Sequence, residues 1–213
     1  MKIPRPIPLP TAIAGLCLAL AGCDGIIPPP QADTTRFYVL AAPAAPAPAP
    51  AIASPAGKLH VGLRNVELAG YLRTRSMITR RGSNELAVDD YHRWAEPLVD
   101  GIGRTLRAVL LASPAVGSAA AEPFPLDSDR DYDISVDVTH CEGVTADGRT
   151  FAAFAANIEV STGGASPHLV FRKAFTAPED AWDGQDYGRL AALLGADADR
   201  LGREIVASLP SRP

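Results

Sequence analysis

Cysteine is scarce in this chain, with three in 213 residues. That count excludes a disulfide-dense scaffold and any four-cysteine zinc site. Charge of one sign is also missing. Twenty bases stand against 24 acids, a formal charge of −4, so nothing in the balance calls for nucleic acid as a partner. No apolar run matches the roughly 20 residues that a membrane-spanning helix needs. Proline, by contrast, is plentiful and crowded: twelve of the 20 fall at or before Pro55. The first quarter therefore cannot form a core, and the globular part is expected to begin near Lys58. Residues 58–213 suffice for one domain with a real core and are too few for two.

The beginning of the chain has the layout of a secretory signal. Residues 1–22 hold two bases, Lys2 and Arg5, no acid, and a short apolar run through Leu20. The run ends in Leu20-Ala21-Gly22-Cys23, which resembles the bacterial lipoprotein box. In such a box the cysteine thiol takes the lipid, and the small residues before it let a peptidase approach the backbone. On this reading Cys17 is discarded, Cys23 becomes the lipid attachment site and Cys141 stays alone, so the mature chain makes no internal disulfide. Several acyl chains at ~0.8 kcal/mol per buried CH₂ make such an anchor effectively permanent. Loss of Lys2 and Arg5 leaves the mature chain at −6, so headgroup attraction is not what holds it to a membrane.

Residues 23–57 read as an Ala/Pro-rich tether interrupted by one docked strand over residues 36–40. Pro28-Pro29-Pro30 and the Ala/Pro run over 41–57 favour extended, solvated backbone. With the strand docked, the free spacer of residues 24–35 reaches roughly 37 Å at ~3.1 Å per residue.

Within residues 58–213 the hydrophobic pattern predicts an α+β fold, a mainly antiparallel mixed sheet with two long helices in a two-layer domain. Leu59, Val61 and Leu63 alternate with His60, Gly62 and Arg64, as in a half-buried strand. Arg81-Gly82-Ser83-Asn84 reads as a hairpin turn. A helix is expected from about Asp89 or Asp90 to Leu111, because Trp94, Leu98, Ile102, Leu106 and Leu110 recur every four residues. Pro97 is tolerated only in a first turn and argues for a later start. A loop rich in Ala, Pro and Asp follows. Strands come next over 133–140, 150–160 and 169–175, with Asp147-Gly148 as a two-residue hairpin signal. The last helix, 187–209, sets Leu190, Leu194, Leu201 and Ile205 on one face.

The residues offer little chemistry. His60, His92, His140 and His168 form no His-x-x-x-His pair. His140, Cys141 and Glu142 are neighbours on a strand and alternate between faces, which argues against a joint metal site. The run from Asp127 to Asp131 begins like a calcium loop, but Tyr132 stands at the turn glycine and Val138 at the bidentate glutamate. Gly101-Ile102-Gly103 lacks the third glycine and the preceding strand of a dinucleotide loop, so close helix packing explains it better. No Gly-x-Ser-x-Gly elbow or Gly-Lys-Ser/Thr loop occurs. No enzyme activity, metal or cofactor is expected.

Several segments together resemble a known family. They are Arg36-Phe37-Tyr38-Val39-Leu40, the run from Val61 to Leu72 that ends Gly70-Tyr71-Leu72, Asn84-Glu85-Leu86, and Arg93-Trp94-Ala95-Glu96-Pro97-Leu98. After a lipobox, this order resembles the PqiC (YmbA) family of ABC-type transport auxiliary lipoproteins. The chain departs from the pattern at Ala69-Gly70, where a proline usually precedes the Tyr-Leu pair, and at Phe154, where a tryptophan is usual. The resemblance implies a non-catalytic component of an MCE/Pqi-type intermembrane lipid transport system that supports envelope integrity. Its implied partners are a periplasmic MCE-domain protein, an inner-membrane Pqi-type protein and further copies of the chain. The implied location is the periplasmic face of the outer membrane. Asp24, directly after the anchor, is the residue that holds enteric lipoproteins at the inner membrane, so both membranes stay open. A structural or assembly lipoprotein that scaffolds an envelope complex without contacting lipid is the alternative.

Two sets of residues follow as interface candidates. Tyr71, Leu72, Arg93, Trp94, Glu96, Pro97 and Leu98 form the family motif. Trp94 and Leu98 would pack a helix on the sheet, while Arg93 and Glu96, i and i+3 on that helix, would pair and hold the Tyr71-Leu72 loop out toward a neighbour or lipid. Arg73, Arg75, Arg80 and Arg81 form a basic patch in an acidic chain, suited to headgroups or an MCE contact.

Overall fold

Asp147 and Gly148 both adopt positive φ, 51° and 72°, the backbone of a two-residue turn whose twist matches that of the strands it joins. They close the longest hairpin of the protein, between β7 (Tyr132–Ala146) and β8 (Arg149–Thr162). The two strands pair antiparallel from Tyr132↔Thr162 to Ala146↔Arg149, with one irregularity between Val138 and His140. The structure, a computed structural model, describes residues 32–40, 58–125 and 128–210. The signal segment, Cys23, Asp24 and most of both Ala/Pro-rich stretches lie outside the described residues.

Everything else is built outward from that hairpin. The free edge of β7 takes three strands in turn, all parallel: β2 (Leu59–Leu63) at Val61↔Tyr132, β3 (Glu67–Leu68) at Glu67↔Asp137, and β4 (Ser76–Arg81) at Thr79↔Gly143. Beyond β2 lies β6 (Val116–Ala121), again parallel. Beyond β4 lies β5 (Glu85–Trp94), antiparallel, and then β1 (Arg36–Tyr38), parallel to β5. On the other side β8 carries β9 (Leu169–Thr176) and the short β10 (Asp180–Ala181), both antiparallel. Helices α1 (Leu98–Ala112) and α2 (Tyr187–Ser208) complete an α+β fold, and the longest ladders of its mixed sheet are antiparallel.

The core lies between the helices and the inward residues of the strands. Ile134, Val136 and Val138 of β7 alternate with less buried Ser135, Asp137 and Thr139. They pack in one cluster with Ile158 and Val160 of β8, Ile102, Leu106 and Leu110 of α1, and Leu190, Leu194, Leu201 and Ile205 of α2. The helices approach closely at Gly202, where an added Cβ would lie 2.8 Å from Val109. Gly101 has a different use: a Cβ there would come within 3.2 Å of Leu40, so its bareness seats the end of the N-terminal strand rather than a second helix. A carboxylate inside the fold is met by guanidinium groups: buried Asp133 by Arg130 at 2.7 Å and Arg64 at 3.3 Å.

Two sequence expectations are corrected. The helix does not begin near Asp89; residues through Trp94 belong to β5, and α1 starts at Leu98. Pro97 removes a helix donor and biases Glu96 away from helical backbone. The carboxylate of Asp89 also accepts hydrogen bonds from the amides of Tyr91 and His92, both at 2.8 Å, bending β5 in a way that blurs its alternation. The loop expected before residue 130 contains β6, whose alanines and glycine have little strand preference and are ordered by pairing with β2. The sheet also holds more parallel pairings than hairpin signals alone suggest, since β2, β3 and β4 all join β7 from a distance.

Candidate functional site

Between β3 and β4 the chain makes one 3-10 turn, Gly70–Leu72, which sets two side chains in opposite roles. Leu72 enters the core and is 2% exposed. Tyr71 lies over β7, where its hydroxyl donates to the Glu142 carboxylate, 3.0 Å from either oxygen, and lies 2.9 Å from the Thr139 carbonyl. Glu142 sits one residue from Gly143, whose inner face is occupied by the Trp182 ring. Strand alternation therefore puts Glu142 on the opposite face, away from the helices.

The carboxylate of Glu142 is buried and heavily served. Arg80 Nε donates to Oε1 at 3.0 Å, the Cys141 amide to Oε2 at 2.6 Å, and His140 Nδ1 lies 2.9 Å from Oε1. The Arg80 guanidinium also lies over the Tyr71 ring, 5.2 Å from its centroid. Burial, with the Glu142 charge beside it, pushes the Tyr71 phenol well above its ordinary value. Burial likewise pushes the Cys141 thiol up, with the Glu142 and Asp197 charges adding to it. A thiol so placed is a poor nucleophile. This network is a structural staple that fixes the Tyr71 turn against the sheet.

The turn it fixes forms one wall of a groove of about 530 Å³. Val66, Leu68, Leu72 and Leu98 supply the apolar floor, Pro97 and Val99 the opposite wall, and Arg73 and Arg75 stand at the rim. The Nε of Arg73 donates to the Leu68 carbonyl at 3.0 Å, which holds that side chain at the rim. A larger open depression of about 710 Å³ crosses the outer face of the sheet. Arg172 and Glu159 pair across it at 2.6 Å, while Arg64 turns to buried Asp133 at 3.3 Å and Lys173 to Glu204.

The structure thus sorts the residues singled out in the sequence. Leu72, Pro97 and Leu98 meet at the groove, although 25 positions and an intervening hairpin separate Leu72 from Pro97. Trp94 is buried in the core, as expected, but from a strand. Arg93 and Glu96 form no helical pair: Arg93 Nε donates to the Asp90 carbonyl at 3.1 Å, and Glu96 pairs with Arg104 of α1. Among the described residues no hydrogen bond or ion pair joins either side chain to the Tyr71 turn, and Leu72 is buried rather than displayed. The basic patch divides as well. Arg80 is committed to Glu142, Arg81 pairs with exposed Glu85 at 3.5 Å, and Arg73 and Arg75 alone border the groove. Sequence reasoning missed Glu142 as the centre of the staple, because a lone glutamate in a strand gives no signal until Tyr71 and Arg80 are folded over it. Among the described residues no cluster of His, Cys, Asp or Glu suits a metal ion, and no helix is long and apolar enough to cross a membrane.

No curated protein matches the chain. Among solved structures, a protein of Xanthomonas campestris, XCC0632 of family DUF330, is similar over 80% of this chain and 92% of its own, with a TM-score of 0.65 and 19% identity. An uncharacterised protein is similar over 80% of this chain and 98% of its own, with a TM-score of 0.56 and 19% identity. These likenesses establish the fold. The model of the ABC-type transport auxiliary lipoprotein component family matches residues 38–206, and the chain belongs to that family.

Proposed function

We propose that this protein is a non-catalytic component of an MCE/Pqi-type intermembrane lipid transport system that supports envelope integrity. It is held to a membrane through a lipid on Cys23. The observation that carries the reading is the family match over residues 38–206 in a chain that begins with a signal segment and a lipobox. In this reading the domain sits at the periplasmic face of the outer membrane, tethered by residues 24–35, and meets a periplasmic MCE-domain protein that is itself linked to an inner-membrane Pqi-type partner. Asp24 makes retention at the inner membrane the competing location, which membrane fractionation separates.

Association with further copies is part of the proposal, and the edges of the sheet support it. Among the described residues β1 pairs only with β5 and β9 only with β8. Exposed apolar side chains lie at both edges, Phe37 in β1 with Val39 directly after it, and Leu169 and Val170 in β9. Open edges of this kind favour pairing between chains.

Metabolic labelling with palmitate, abolished by Cys23→Ser, tests the anchor. Deletion of the protein is expected to sensitise the envelope to detergents, and crosslinking in cells is expected to recover an MCE-domain protein. Failure of both would sink the transport reading. A scaffold that never contacts lipid would instead show crosslinks without phospholipid in mass spectra of the purified protein.

A further inference from the structure

The groove beside the Tyr71 turn has properties that the family assignment does not explain. Its floor is shallow: Leu68, Leu72 and Leu98 are each under a tenth exposed, so the apolar surface within reach comes from exposed Pro97 and half-buried Val99. Arg75 at its rim is exposed and makes no side-chain hydrogen bond, ion pair or ring contact with another described residue. Arg73 beside it spends its Nε on the Leu68 carbonyl. Two guanidinium groups above an apolar floor, in a chain that is acidic overall, call for a ligand with a carboxylate next to an apolar group.

A volume of about 530 Å³ falls within the range of small-ligand sites. A shallow floor leaves most of a long acyl chain in water but accepts one or two apolar side chains. Glu67 also borders the groove and disfavours a long acidic run. We propose that the groove docks a peptide segment of a partner protein, one that places an apolar side chain against Pro97 and Val99 and an adjacent carboxylate on Arg73 and Arg75. This rests on the reading of the protein as a binding component and names the chemistry of what it binds. The Tyr71–Glu142–Arg80 staple gives the site its rigidity, so little ordering cost falls on this side of the interface.

The test is a selection from a random peptide display library on the full mature chain, counter-selected on Arg75→Glu. Arg75→Glu alters an exposed side chain that has no side-chain partner among the described residues, and it is expected to leave the fold intact. Enriched sequences are expected to pair Asp or Glu with an adjacent Leu, Ile, Val or Phe. The leading peptide, added to isotope-labelled protein, is expected to shift amides within residues 66–75 and 97–99, and to bind Arg75→Glu roughly tenfold more weakly. Val99→Glu, which sets an acid in the groove wall where a helix start tolerates one, is expected to weaken binding as well. No acidic–apolar enrichment, or shifts mapped elsewhere, would overturn the proposal. So would phosphatidylglycerol vesicles that shift the same amides while peptides do not, which would give the groove to lipid. Palmitate labelling and detergent sensitivity test the transport reading separately, so either can fail alone.

Discussion

The Tyr71 hydroxyl lies 3.0 Å from both oxygens of the Glu142 carboxylate, and that carboxylate has almost no contact with water. Leaving a buried acceptor short of a donor costs ~1–3 kcal/mol. Tyr71→Phe keeps the ring under Arg80 and removes only the hydroxyl, so it is expected to destabilise the fold by about 1–2 kcal/mol. Glu142→Ala strands Arg80 as well and is expected to cost about 3 kcal/mol. Chemical denaturation of the two variants checks the order, and equal losses would contradict it.

The same contact fixes the alkaline behaviour of the fold. The folded Tyr71 phenol holds its proton more tightly than an unfolded tyrosine, as does Tyr187, which burial and the neighbouring Asp89 push up to about 12. The stability these groups contribute is complete below about pH 10, the unfolded tyrosine value, and falls as pH rises toward and through the folded values. Tyrosinate absorbance is expected to show both residues ionising above the ordinary tyrosine range, and together with unfolding. Early ionisation of either one in the native state would count against the contacts.

Asp197 gives a dependence of the same sign at acid pH. Burial raises its carboxyl to about 6, opposed in part by Arg200, whose Nη1 lies 2.6 Å from Oδ1. Because the folded value exceeds the unfolded one, this group favours the fold below about pH 4, and that contribution disappears as pH rises to about 6. Asp197→Asn is expected to remove this fall in stability, read as the difference in Tm between variant and parent across pH 4 to 7. A constant difference would refute it.

Gly143 lies directly under the Trp182 ring. A Cβ there would stand 2.5 Å from the ring edge and 3.3 Å from Leu190. Gly143→Ala is therefore expected to cost about 1–3 kcal/mol by overpacking and to shift Trp182 fluorescence, while Gly70→Ala, with open space around it, changes neither.

Cys141 is buried and its thiol is held protonated by its surroundings. Iodoacetamide at pH 8 is expected to leave it unmodified in the native protein and to label it on denaturation. Rapid native labelling would mean that the β7 face opens.

Much of this was legible in the amino-acid pattern because it depends on local signals. The Asp147-Gly148 turn, the alternation of Ile134, Val136 and Val138, and the four-residue spacing of α2 are each set by residues close in sequence. The start of α1 misled because Trp94, at the end of β5, stands four residues before Leu98 and so extends the helical spacing into a strand. The segment Val116–Ala121 was silent for the opposite reason: its alanines carry no strand preference, and only β2 makes them a strand. At the groove, Leu72, Pro97 and Leu98 could be picked out by resemblance, but their meeting depends on the path of β4 and β5. The division of the arginines depends on Glu142, 62 positions from Arg80, and distance of that kind leaves no trace in a linear pattern.

The parallel joining of β2, β3 and β4 to one edge of β7 also dictates when this protein can fold. Val61 waits for Tyr132, Glu67 for Asp137 and Thr79 for Gly143, so each early strand is made long before its partner exists. Closing loops of that length costs entropy before any contact repays it, and topologies of this kind fold slowly. A chain emerging N-terminus first can pair β4 with β5 and β2 with β6, but it lacks the strand that joins these pieces until the β7–β8 hairpin arrives and serves as the template. Truncations that end before Thr162 are expected to yield no folded fragment, and a growing chain stays open to holding factors until that hairpin has formed.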